Sequence, residues 1–133
     1  MRRHSACALV GRILAKGEVR NGKEGNPNCP TATNMYKMRY DMALEADAEK
    51  YASTCPMFPS DKPDRFFGEN FKTFTGNTTI PYMDAIKNAH QSWWSQIYKN
   101  GVNGQMKYNE YLEMKDQAPT AFTQRKHLHA IHL

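Results

Sequence analysis

Two stretches of this chain are too rich in breakers for regular structure, and they isolate one run that is not. Residues 21–33, NGKEGNPNCPTAT, are dense in Gly, Asn and Pro, and residues 56–64, PMFPSDKPD, hold three prolines in nine positions. Between them DMALEADAEKYASTC (41–55) sets Leu44, Ala48, Tyr51, Ala52 and Cys55 at helical spacing. Asp41 stands where a carboxylate can cap the open amides of a first turn, and Pro56 ends the run. The spacing therefore predicts an amphipathic helix, with Glu45, Asp47 and Glu49 toward solvent or the helix flank. The 21–33 loop is expected at the surface without a core of its own.

Other elements follow from the same reading. Residues 6–16 suit a short helix with Leu9, Val10, Ile13 and Leu14 toward one side, stopped by Gly17 in a left-handed C-cap. RFFGENFKTF (65–74) alternates in part and is rich in Phe, as a buried strand would be, with Gly68 at a bend or close approach. A second amphipathic helix is predicted from about Met83 to Lys99, with Ile86, Ala89, Trp93 and Ile97 on its apolar stripe and Gly101 beyond its end. The two tryptophans make that helix a core element. Beyond Gly101 no element is read, and RKHLHAIHL (125–133) alternates His with apolar residues unlike anything before it. Its His127, His129 and His132 are imidazoles that can ligate a transition metal, but no acid or cysteine accompanies them, and an exposed tail is the better reading.

At 133 residues the chain fits one domain. A mean hydropathy of -0.78 beside 40% hydrophobic residues suits a loop-rich globular protein. The net charge of +5 raises the question of nucleic acid, yet the Lys and Arg residues are spread along the chain with acids nearby rather than gathered into a phosphate track. No nucleic-acid partner is expected. No run approaches the ~20 apolar residues of a membrane span. The amino terminus has a basic start, but its apolar run from Ala6 to Val10 falls short of an ~7–15-residue signal core, so no export signal is evident.

The three cysteines, Cys7, Cys29 and Cys55, are an odd number, so at least one is free, intermolecular or without its usual partner. No pair has CxxC spacing and no His stands in zinc-finger register, which favours a disulfide remnant over a structural zinc site. Asn77-Thr78-Thr79 reads as an N-glycosylation acceptor, of consequence only in a secreted chain.

Four segments, taken together, resemble the cysteine-rich secretory, antigen 5 and pathogenesis-related (CAP or SCP) family in its venom-allergen-like branch. They are TATNMYKMRYDMALEADAEKYASTC, GENF at Gly68 to Phe71, AIKNAHQSWWSQI at Ala85 to Ile97, and AFTQ at Ala121 to Gln124, the last similar to the family's GHYTQ segment. They stand in family order, covering roughly residues 15–124, with divergent segments at 1–14 and 125–133. The resemblance implies an α+β fold, an α-β-α sandwich with helices on both faces of a small antiparallel sheet, incomplete here at its C-terminal end. It also implies secretion and disulfides, with Cys55 and Cys29 as candidate partners. Cys55 would find its partner in later segments of a full family domain; the alternative is a plain buried residue of its helix. An incomplete sheet would leave an open edge and Phe66, Phe67, Phe71 and Phe74 poorly covered, so a loosely packed chain is expected.

The family's central cleft commonly carries two histidines and two glutamates that hold a divalent cation, and each position can be carried over onto this chain. Glu69 of GEN matches the first glutamate. Gln96, three residues after Trp93, replaces the second and loses its charge; Pro59, four residues after Cys55, replaces the first histidine; and Ala121 replaces the second. No metal and no other cofactor is therefore expected. Ser60 is retained as a hydroxyl, but the histidine that should precede it is not. His90, beside the Trp-bearing stripe, reads as a packed helix residue rather than a ligand. The expected function is that of a secreted, non-enzymatic binding or immunomodulatory protein with an unidentified protein or lipid ligand. A lipid or sterol carrier, or a misassembled gene product without independent activity, are the alternatives.

Overall fold

The computed structural model describes residues 5–36, 39–61, 68–74, 80–107, 109–123 and 130–131. These divide into two compact units, one of residues 1–40 with 96–119, the other of 41–95 with 120–133.

The first unit opens with α1, Ser5–Ala15. Its end is a Schellman turn: Gly17 takes φ 71, its amide donates to Leu14 O at 2.9 Å, and the Glu18 amide donates to Ile13 O at 3.0 Å. A Cβ at Gly17 would sit 2.9 Å from Cys29 O, so the glycine also admits the returning chain. That return is an irregular hairpin, with an antiparallel bridge between Arg20 and Asn28 and a 2.7 Å bond from the Cys29 amide to Val19 O. The 21–33 loop is not wholly superficial, as its composition led us to expect, because Gly22 and Cys29 are buried. The second half of this unit holds α4 (Gln96–Asn100) and α5 (Glu110–Met114), which contribute buried Ile97 and Leu112. Asn109 caps α5, its Oδ1 accepting from the Leu112 amide at 2.9 Å.

In the second unit α2 spans Met42–Ala52, and Asp41 caps it as expected, accepting from the amides of Ala43 and Leu44 at 2.8 and 3.2 Å. The helix stops short of Cys55. Ser53 and Thr54 hydroxyls donate to Lys50 O and Tyr51 O, both at 2.8 Å, and the residue before Pro56 is turned away from the helical region. Cys55 takes φ 50 and is exposed, which overturns its reading as a buried member of the helix stripe. α3 covers Tyr82–Trp94 and buries Ala89 and Trp93. The single helix expected over 83–99 is thus interrupted at Ser95, whose hydroxyl donates to Ser92 O at 2.9 Å in competition with the backbone ladder.

Strand is scarce among the described residues. The Phe-rich stretch yields only β1, Glu69–Asn70, which pairs in parallel with β2, Ala130–Ile131, rather than in the antiparallel sheet expected. Gly68 and Asn70 are poor strand residues, and Asn70 turns its side chain to other use. Phe71 is half-buried and Phe74 exposed, while Phe66 and Phe67 lie outside the described residues. A four-residue helix, α6 (Thr120–Thr123), completes the unit. No described helix is long and apolar enough to cross a membrane.

Candidate functional site

The residues singled out at Pro59, Glu69 and Ala121 come together. With Gly68, Asn70, Phe71 and Thr120 they line a depression of about 290 Å³ in the second unit. Gly68 and β1 carry Glu69 into its wall, and the Ser60 loop closes over the carboxylate. The Ser60 amide donates to Glu69 Oε1 at 3.0 Å and the Ser60 hydroxyl donates to Oε2, so one residue engages both carboxylate oxygens. The Ser60 hydroxyl therefore serves an acid and not an imidazole.

Asn70 was missed in the sequence. Its Nδ2 donates to Ala121 O at 2.9 Å, tying the strand to the first turn of α6. The signal was present in the GEN triplet, but the partner carbonyl is 51 residues away. α6 is also held from its other side, where the Phe122 ring meets Trp94 edge-on at 5.3 Å. His90 is half-buried on α3 with its ring 5.8 Å from that of Trp93, and it does not line the depression.

The remaining positions lie elsewhere. Gln96 begins α4 in the first unit and is half-buried. Cys29 and Cys55 stand as thiols, the first buried and the second exposed; burial pushes the Cys29 thiol up from its ordinary value. Asn77 and the tail histidines His127, His129 and His132 lie outside the described residues. Among the described residues no three His, Cys, Asp or Glu side chains gather as metal ligands would.

The model of the Cysteine-rich secretory protein family, CAP, matches residues 10–130. The chain belongs to that family. It is also 35% identical over 79 residues to Ancylostoma secreted protein of Ancylostoma caninum, a match that covers 56% of this chain. The chain spans only 18% of that relative's length. The two matches together support the venom-allergen-like branch. No solved structure matches the chain.

Proposed function

We infer that this CAP chain is a secreted binding protein without enzymatic activity, whose ancestral cation site has been given over to structure. Its secretion is supported by the family and by the likeness to a relative that is itself named a secreted protein. The observation that carries the reading is the engagement of both Glu69 oxygens by Ser60, beside Pro59 and Ala121. A cation bound there would have to displace those two hydrogen bonds and would meet neither imidazole. A nucleophilic role for Ser60 would need a base with a positioned acid behind it, and the hydroxyl already donates to the carboxylate. Lipid carriage draws no support from the α3 stripe, because Ala89 and Trp93 are buried as core.

Zinc calorimetry on the whole chain tests the reading. No heat of micromolar binding is expected. Micromolar or tighter binding that disappears in Glu69→Ala would overturn it.

A further inference from the structure

A second concave surface, of about 460 Å³, lies in the first unit and shares no lining residue with the depression around Glu69. Its floor is backbone. Gly22 and Gly101 are both buried and left-handed, at φ 94 and 64, and a Cβ on Gly101 would come within 3.2 Å of Gly22 Cα. Two chains can abut there only because neither carries a side chain. Around this floor stand Lys23 from the hairpin, Lys99 from α4 and Lys115 from just beyond α5, and none of the described lining residues is acidic. No carboxylate among the described residues is in salt-bridge reach of these three ammonium groups, whereas Lys16 and Lys87 have Glu18 and Asp84 at 3.6 and 3.3 Å.

Three carbonyls of the lining that would repel an anion are already occupied. Gly22 O accepts from Arg20 Nε at 3.0 Å, Val102 O from Asn21 Nδ2 at 3.1 Å, and Asn21 O from Asn26 Nδ2 at 3.0 Å. The charged residues of the lining are thus three lysines, all exposed, and Asn100, half-buried, adds a neutral amide. Like charges gathered around a concave, side-chain-free floor raise a positive potential that an oxyanion relieves through charge-assisted hydrogen bonds. The volume lies in the range of small-ligand sites, well beyond what a bare tetrahedral ion needs.

We propose that this surface is a binding site for a small carrier, of sugar size, bearing a phosphate or sulfate ester. The ester sits among Lys23, Lys99 and Lys115, and the carrier occupies the rest of the concavity over Gly22 and Gly101. Site and CAP cleft are independent, so the failure of one reading leaves the other standing.

Amide chemical shifts followed during titration with inorganic phosphate, glucose 6-phosphate and N-acetylglucosamine 6-sulfate at low salt test the proposal. Saturable shifts are expected at Gly22, Lys23, Gly101 and Val102, with a sugar ester binding more tightly than inorganic phosphate. Joint Lys23→Gln and Lys99→Gln substitution should weaken binding roughly tenfold or more, about 1.4 kcal/mol, while leaving the spectrum otherwise folded. A control carrying Lys50→Gln and Lys72→Gln removes the same charge elsewhere and should bind as before. Whichever ester binds more tightly names the natural group. Absence of saturable shifts with all three probes, or an equal loss in the control, overturns the site.

Discussion

The side chain of Asn21 bonds both backbone groups of Val102, its Nδ2 donating to the carbonyl at 3.1 Å and its Oδ1 accepting from the amide at 2.7 Å. A primary amide has the same donor and acceptor geometry as a peptide, so Asn21 completes a two-bond ladder with a residue 81 positions away. Beside it the Gly22 amide donates to Ile97 O at 2.9 Å. These bonds join the two sequence-distant parts of the first unit.

Replacing Asn21 by Ala should therefore lower stability by about 2 kcal/mol, since two part-buried backbone groups lose their partner. Asn21→Asp keeps the acceptor for the Val102 amide but loses the donor, and should cost about half as much near neutral pH. Urea unfolding of the three proteins measures both. A change within error for Asn21→Ala would show that water replaces the clasp at no cost.

Gly101→Ala should destabilise by about 1–2 kcal/mol through its left-handed backbone alone. Its new Cβ would also lie 3.0 Å from Asn21 Oδ1. That second part vanishes when Asn21 is already Ala, so a double-mutant cycle should show the glycine substitution costing less in that background. Strict additivity would mean that the crowding is relieved some other way.

The two described cysteines should differ sharply toward a thiol reagent. In a Cys7→Ser background, exposed Cys55 should label within the dead time of mixing, and buried Cys29 only as fast as the chain opens. Burial raises the folded-state value of Cys29 above the ordinary 9.0, so the folded chain holds this proton more tightly than the unfolded one. The contribution to stability is whole below about pH 9 and declines as pH climbs from there through the raised value. Stability of Cys29→Ala measured across that range should lack this decline.

Glu69→Ala should free the Ser60 loop. We expect a loss of about 1–2 kcal/mol and faster hydrogen exchange of the Ser60 amide, which donates to Oε1 at 3.0 Å. Ser60→Ala removes only the hydroxyl bond and should leave that amide protected. Equal exchange in the two variants would assign the protection to something other than the carboxylate.

Local physics made part of this molecule legible before any coordinates. The Asp41 cap, the Gly17 stop of α1, the Gly101 stop of α4 and the apolar stripe of α3 each depend on residues within a few positions of one another, so sequence spacing determined them. GEN, the double tryptophan and AFTQ, in order, were enough to indicate the CAP family, because they occur as a set rather than singly. α5 was as local as these, but Asn109 as its cap was overlooked in a stretch without a clear apolar period.

Tertiary structure decided the rest, wherever the outcome turned on a partner far along the chain. The Phe-rich stretch had a strand's alternation, yet among the described residues it pairs only at Glu69 and Asn70, whose side chain bonds Ala121 O instead. Cys55 had the period of a buried helix residue, yet its pre-proline backbone leaves the helix and exposes it. The coming together of Pro59, Glu69 and Ala121, and of three lysines that looked dispersed, required chain returns that no local preference encodes. Periodicity describes which face a residue would take in an ideal element. Which groups meet, and whether a carboxylate ends up bonded to Ser60, is set by the packing that closes the chain over long separations.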